Sequence, residues 1–176
     1  MVERGGLENR CAVTPYPGFE SLPLRLGITA RMPDFNVNDV ETEDCGGPDD
    51  VGLRDAPFHG ERLGGAVVEI APGKAGWPYH WEGGQEELVL VLSGRPTMRR
   101  PSGEEELAPG DVVAFPIGPD GAHAFRNATD EPVRLLMVST LAPANVVHFP
   151  DSGKVLARSR WSDGVHHGGD RVPYWD

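Results

Sequence analysis

Short apolar segments separated by glycine and proline dominate residues 62–155. No long helical periodicity appears between residues 62 and 142, and the segments recur at intervals of roughly ten residues. This pattern predicts an all-β domain built as an antiparallel sandwich or barrel. We also expect residues 95–100 to form the hairpin partner of 86–92, with the turn at Ser93 and Gly94. The expected strands cover residues 66–70, 86–92, 112–115, 122–126, 133–140 and 146–149.

The two ends of the chain lack this pattern, so we predict an N-terminal arm and acidic loop (1–61), a barrel domain (62–155) and a C-terminal tail (156–176). Residues 22–28 alternate as an edge strand would. The pair His166-His167 lies in the tail, to which we assign no chemistry. An acidic cluster within residues 33–61 indicates either a calcium or partner site or a solvated loop, and its spacing favours the loop because it lacks the alternation of an EF-hand. The cluster consists of Asp34, Asp39, Glu41, Glu43, Asp44, Asp49 and Asp50.

The chain has 176 residues, enough for one domain. Its net charge of −11 argues against nucleic acid and against an anionic membrane surface as partners. Cys11 and Cys45 do not have the spacing of metal ligands, and a disulfide between them stays open. No stretch approaches ~20 apolar residues. We therefore expect a cytoplasmic protein with reduced thiols.

Two motifs carry the candidate chemistry. The first places His80, Glu82, Glu86 and Glu87 ahead of an apolar strand that ends at Gly94. The second consists of Gly110, Pro116, Gly118, His123 and Asn127. Together they resemble the two signature motifs of the cupin superfamily, over roughly residues 62–155. Two departures stand out: Glu82 occupies the position of the family's second histidine, and four residues rather than two separate Gly118 from His123.

The resemblance implies a jelly roll, or double-stranded β-helix, in which the second motif lies beside the first. It also implies a homodimer and a small-molecule substrate or ligand. His80, Glu87 and His123 would then hold a divalent metal ion. Two imidazoles and one carboxylate suit Fe(II) or Mn(II), and Zn or Ni would also fit. Family spacing selects Glu87 over Glu86, provided that Gly83-Gly84 resets the alternation of the strand.

Glu82 has three interpretations. His80 and Glu82 share one face of an extended segment, so Glu82 is either a fourth metal ligand or a catalytic base beside the metal. The third interpretation is a degenerate motif that has lost its metal. Function accordingly divides into two hypotheses: a metal-dependent enzyme that chelates substrate oxygens, with dioxygenase, isomerase or other proton-transfer chemistry, or a non-catalytic cupin that binds or senses a small ligand.

Other polar and aromatic residues carry weaker signals. Three aromatic residues flank the candidate ligands and would either line a pocket or belong to the core. Three arginines would either clamp a substrate carboxylate or lie on the surface. No serine or cysteine nucleophile motif and no dinucleotide or phosphate loop is present. The three aromatic residues are Tyr79, Trp81 and Phe125, and the three arginines are Arg95, Arg99 and Arg126.

Overall fold

The computed structural model describes residues 36–159, 163–167 and 170–171, which form fourteen β-strands and one short 3-10 helix. The elements are β1 (Glu43–Asp44), β2 (Leu53–His59), β3 (Leu63–Ile70), β4 (Trp81–Glu82), β5 (Glu87–Ser93), β6 (Thr97–Arg100), β7 (Gly103–Glu106), β8 (Val112–Phe115), η1 (Pro119–Gly121), β9 (Ala124–Arg126), β10 (Val133–Thr140), β11 (Ala144–Phe149), β12 (Lys154–Ser159), β13 (Asp163–His167) and β14 (Asp170–Arg171).

The strands form three antiparallel sheets. The largest has the order β1-β2-β3-β10-β5-β8, the second has the order β14-β13-β12-β11-β4, and the third has the order β7-β6-β9. Neighbouring strands in the sheets are often distant in sequence, as β3 and β10 are, because the chain passes repeatedly from one layer to another. The prediction of an all-β jelly-roll barrel is confirmed.

The core lies between the layers and explains the apolar alternation of the sequence. Val89 and Val91 point inward from β5, while Leu88 on the same strand is 42% exposed. Leu135 of β10 is fully buried, as is Met98 of β6. Since side chains of a strand alternate between the two faces of its sheet, strands such as β10 supply every second residue to the core.

The predicted hairpin between residues 86–92 and 95–100 is wrong. Strand β5 pairs with β10 and β8, and β6 pairs with β7 and β9. Gly94 takes a positive φ of 79°, and a Cβ atom there would lie 2.8 Å from the Pro132 carbonyl oxygen. Because β10 and β8 occupy both edges of β5, the chain turns at Gly94 into another layer instead of folding back.

The sheets continue across both predicted domain boundaries. Strands β1 and β2 join β3 from the N-terminal side, and β12 runs from Lys154 to Ser159. The boundaries stay a prediction. Six of the seven residues of the predicted acidic cluster are described and all six are exposed, as expected for solvated side chains. Asp34 and the predicted edge strand 22–28 lie outside the described residues.

Cys45 is disulfide-bonded and 2% exposed, so the expectation of reduced thiols is wrong for this residue. The other cysteine, Cys11, lies outside the described residues. In the described part of the chain no helix has the length and apolarity that a membrane span requires. The cytoplasmic location stays a prediction.

Candidate metal centre

The two motif histidines lie directly opposite each other on neighbouring segments. The His80 N–H donates to the His123 carbonyl oxygen at 3.1 Å, and the His123 N–H donates to the His80 carbonyl oxygen at 2.8 Å. Their ring centroids are 4.7 Å apart. A hydrogen-bonded antiparallel pair places both side chains on the same face. The prediction that the second motif lies beside the first is confirmed.

Backbone carbonyls fix the tautomer of both histidines. Nδ1 of His80 lies 2.8 Å from the Pro78 oxygen, and Nδ1 of His123 lies 2.9 Å from the Gly121 oxygen. A carbonyl oxygen accepts only, so Nδ1 carries the hydrogen in each ring and Nε2 keeps its lone pair. This is how most metal-binding histidines in proteins are oriented. Both rings are therefore prepared to bind a cation through Nε2.

The lengthened loop before His123 supplies one of these carbonyls. Its additional residues form the helix η1, which ends at Gly121. A Cβ atom at Gly121 would lie 1.9 Å from the Pro116 oxygen, so only glycine fits this close approach. The departure from family spacing thus produces a compact turn that holds the His123 ring.

Glu87 completes the group. The chain bends at Gly83-Gly84, and β5 begins at Glu87, so the alternation is reset as predicted. Oε2 of Glu87 lies 3.3 Å from Nε2 of His123, whereas Glu86 is exposed. The ligand atoms of His80, Glu87 and His123 all lie within 4.8 Å of one another.

Two of these atoms are buried without a hydrogen-bond partner: Oε2 of Glu87 and Nε2 of His123. A buried polar atom without a partner costs about 1–3 kcal/mol, so two acceptor atoms that face each other favour either a shared proton or a bound cation between them. A divalent cation between two imidazole nitrogens and a carboxylate oxygen would satisfy both. The donor set fits the predicted metal, with Fe(II) or Mn(II) as well suited as Zn or Ni.

The protonation states agree with this fit. Burial lowers the pKa of His80 to about 4. Burial, and then the nearby charge of His80, lowers the pKa of His123 to about 3. Both imidazoles are therefore neutral near pH 7, as metal ligands must be. Burial, followed by the negative charge of Glu82, raises the pKa of Glu87 to about 8. Near pH 7 this carboxyl group stays protonated until a cation compensates its charge.

Glu82 is not one of the three described residues whose ligand atoms converge, and its role as a fourth ligand or as a base stays a prediction. Among the described residues the three candidate ligands are His80, Glu87 and His123, and Oε2 of Glu82 accepts a hydrogen bond from Nδ2 of Asn145 instead. Burial raises the pKa of Glu82 as well. A carboxyl group with a raised pKa next to a metal site has the properties of a general base.

Comparisons with known proteins bear on the family. The model of the Cupin domain family (Cupin_2) matches residues 66–139. The crystal structure of a putative sugar phosphate isomerase from Acidithiobacillus ferrooxidans is 32% identical, with a TM-score of 0.58 over 64% of this chain and 72% of that chain. The chain belongs to the cupin superfamily.

Two further structures share the fold of this cupin. A sugar phosphate isomerase from Silicibacter pomeroyi has a TM-score of 0.70 at 23% identity, covering 80% of this chain and 97% of that chain. A polyketide cyclase from Streptomyces resistomycificus has a TM-score of 0.52 at 22% identity, covering 62% and 79%. At these identities the likeness concerns the fold alone. No protein with curated function matches the chain.

The remaining predicted candidates lie away from the metal ligands or serve the core. Trp81 stacks on His148 at 3.9 Å, and Tyr79 lies under Arg99, 3.9 Å from its guanidinium carbon. Phe125 is buried in the core beside His123. The three predicted arginines pair with acidic residues outside the site, in the contacts Arg95–Glu106, Arg99–Asp151 and Arg126–Glu104.

Sequence reasoning missed one polar residue beside the site, Asn145. Asn145 is 3% exposed, and its Nδ2 donates to Gln85 as well as to Glu82, while its Oδ1 accepts from the Gly84 N–H at 2.9 Å. Asn145 therefore joins β11 to the bend between the two glutamates. The available signal was a polar residue directly before the apolar pair Val146-Val147 in the strand Ala144–Phe149.

Proposed function

We propose that this cupin is a metal-dependent enzyme that moves a proton within a small polyoxygenated carbonyl compound, as an isomerase does. The observation that carries the proposal is the buried group of His80, Glu87 and His123, whose ligand atoms converge, with the second carboxyl group of Glu82 beside it. A site built only for ligand binding has no need of a carboxyl group with a raised pKa next to the metal ligands.

The chemistry divides between the metal and the chain. A divalent ion held by the three ligands would chelate neighbouring substrate oxygens and acidify the carbon-bound proton beside the carbonyl group. Glu82 takes this proton and returns it to the adjacent carbon, while the hydroxyl proton moves to the former carbonyl oxygen. No atom is gained or lost, so the step needs no co-reactant. Asn145 holds the Glu82 carboxyl group in place through its hydrogen bond to Oε2.

The substrate class rests on the relative that is 32% identical, a putative sugar phosphate isomerase. Sugar phosphates carry a carbonyl group next to a hydroxyl group, which matches the chelation and proton transfer proposed above. Dioxygenation, the other chemistry open to a site with two imidazoles and a carboxylate, would need O₂ as a co-reactant.

The test combines metal content with hydrogen exchange. Protein purified without an affinity tag should hold about one equivalent of Fe, Mn, Zn or Ni, and a His80→Ala/His123→Ala variant should hold none. In D₂O the metal-loaded protein should exchange the proton beside the carbonyl group of at least one member of a panel of aldose and ketose phosphates, followed by NMR. Glu82→Gln should keep the metal and lose the exchange.

Failure would take a definite form. If none of Fe(II), Mn(II), Zn(II) and Ni(II) binds after reconstitution, the metal hypothesis is wrong. The protein would then be a non-catalytic, small-ligand-binding or sensing cupin with a degenerate motif, as the alternative hypothesis states.

We also propose that the protein is a homodimer with neither nucleic acid nor membrane as a partner. Support comes from the outer face of the largest sheet, where Leu88 is 42% exposed and Val112 is 59% exposed. Leu88 lies opposite Ala114 and Val138 in its two neighbouring strands, so the apolar surface is continuous. Light scattering after size-exclusion chromatography should give twice the mass of the chain, and a monomer would contradict the proposal.

A further inference from the structure

Arg100 lies on the same inner face of the barrel as the candidate ligand His123. In the pairing of β6 with β9, Met98 stands opposite Phe125, and both are buried, with 0% and 6% exposure. Arg100 lies two residues beyond Met98, and His123 lies two residues before Phe125. Because residues two apart in a strand share a face, and directly opposed residues do too, Arg100 and His123 project together toward the interior.

Arg100 also lies at the end of the barrel that carries the metal ligands. It is the last residue of β6, Phe115 is the last residue of β8, and Glu87, which stands opposite Phe115, is the first residue of β5. The Phe115 ring connects these residues. It stacks on His123 with 3.8 Å between the ring centroids, and the guanidinium carbon of Arg100 lies 6.0 Å from the Phe115 centroid. Arg100 therefore lies beside the metal group.

One donor atom of Arg100 has no acceptor. Among the residues that the structure describes, three buried side-chain nitrogen or oxygen atoms lack a hydrogen-bond partner: Oε2 of Glu87, Nε2 of His123 and Nε of Arg100. A divalent cation would satisfy the first two atoms but not the third, because the Nε–H of arginine can only donate. The buried donor therefore favours an additional group at the site, one that offers an acceptor oxygen.

The other contacts of the Arg100 side chain leave it able to bind such a group. Its Nη2 lies 3.5 Å from a carboxylate oxygen of Glu105 and 3.6 Å from the Met98 sulfur. The Glu105 side chain is 54% exposed, and an ion pair with an exposed carboxylate contributes little to stability. Arg99, the preceding residue, points to the opposite face and donates two hydrogen bonds to Asp151. Of these two neighbouring arginines, Arg100 is thus the one that faces the site with an unpaired donor.

We infer that Arg100 binds the substrate at the metal centre, where its Nε–H donates a hydrogen bond to the substrate oxygen that becomes negatively charged when the proton leaves carbon. The inference rests on the proposed function and adds a residue to its chemistry. When Glu82 takes the carbon-bound proton, the electron pair of the C–H bond forms a double bond to the carbonyl carbon, and the carbonyl oxygen receives the displaced pair. Arg100 keeps its own proton, because a guanidinium group stays charged in proteins, and its fixed charge stabilises that oxygen.

The test measures the affinity for oxalate, a planar dianion that chelates divalent metal ions and whose neighbouring oxygens resemble those of the deprotonated substrate. Oxalate is titrated calorimetrically into Mn(II)-loaded wild-type protein and into Arg100→Met, Arg100→Lys and Arg99→Met, with the metal content of each sample measured before and after. Arg99→Met is the matched control, because it removes the same charge from the same strand on the outer face. We expect Arg100→Met to weaken oxalate binding by about 10- to 100-fold, Arg100→Lys to weaken it less, and Arg99→Met to leave it unchanged.

Hydrogen exchange in D₂O gives a second readout. Arg100→Met should lower the kcat of exchange by about 100- to 1,000-fold, as the loss of a donor to a developing oxyanion does, and should change KM much less. Arg99→Met should change neither value.

Equal oxalate affinity in metal-loaded wild type and metal-loaded Arg100→Met would overturn the inference and leave the proposed function intact. So would a failure of oxalate to bind metal-loaded wild type at millimolar concentration. If Arg100→Met takes up no metal, Arg100→Lys decides, and it must then bind oxalate more weakly than wild type, because lysine has no donor at the Nε position. A wild-type protein that takes up no metal would instead refute the proposed function, and the inference with it.

Discussion

Replacing Glu87 by glutamine should stabilise the metal-free protein, although it removes a predicted metal ligand. The pKa of Glu87 is raised from 4.5 to about 8, mainly by burial. Between these values the folded state keeps the proton while the unfolded chain loses it. The stability that the Glu87 carboxyl group contributes is therefore fully present below pH 4.5 and is lost as the pH rises through 8.

The magnitude follows from the linkage between proton binding and folding. Each pH unit between the two pKa values costs the wild-type protein about 1.4 kcal/mol, roughly 3 kcal/mol in all at pH 7. The side-chain amide of glutamine does not ionise, so the Glu87→Gln variant does not lose stability in this way. We therefore expect metal-free Glu87→Gln to exceed wild type in unfolding free energy by roughly 2–4 kcal/mol at pH 7 and by little near pH 4.5.

The assay is urea unfolding of chelator-treated protein between pH 5 and pH 8, with Glu86→Gln as the matched control because Glu86 is the exposed neighbour. The low pKa values of His80 and His123 reduce stability as the pH falls below about 6.5, but equally in both proteins, so they cancel in the difference. Added Mn(II) should stabilise wild type and not Glu87→Gln. Parallel pH profiles for the two proteins would refute the reasoning.

Two further predictions follow from the same site. Metal binding at pH 6.5–7 should release about one proton, from Glu87 and not from the neutral histidines; calorimetry in buffers of different ionisation enthalpy checks this, and release that grows only below pH 6 would contradict it. Asn145→Ala should reduce stability by about 1–3 kcal/mol in urea unfolding, because it leaves the partly buried N–H of Gly84 and the carboxyl group of Glu82 without their partner. The same variant should also shift the pH profile of hydrogen exchange at the substrate carbon. A loss of stability without that shift would mean that Asn145 has only a structural role.

The parts of the fold that could be predicted are those encoded by local alternation and glycine. Strands such as Val133–Thr140 show their burial in the sequence itself, and the motif spacing was sufficient to choose Glu87 over Glu86. The hairpin after Gly94 failed because adjacency in sequence is only a tendency, and β5 had already paired on both edges.

Asn145 could not be predicted for a different reason. It lies beside the site through the register of β4 and β11, which depends on how distant segments pair and not on any local pattern. The strands β1 and β2 were missed similarly, since they lie in or beside an acidic cluster that resembles a solvated loop. Their place in the sheet follows from the pairing of β1 with β2 and of β2 with β3.

Replacing Glu82 by histidine would restore the family pattern and decide what the glutamate does. The charge of Glu82 raises the pKa of Glu87, so a neutral side chain at position 82 should lower that pKa and allow metal to bind at lower pH. If Glu82 is the base, both Glu82→His and Glu82→Gln should keep the metal and lose hydrogen exchange. If Glu82 is a fourth ligand, Glu82→Gln should bind metal at least tenfold more weakly while Glu82→His retains it. Metal titrations from pH 5 to pH 8, with exchange measured on the same samples, distinguish these results, and exchange that persists in Glu82→Gln would exclude Glu82 as the base.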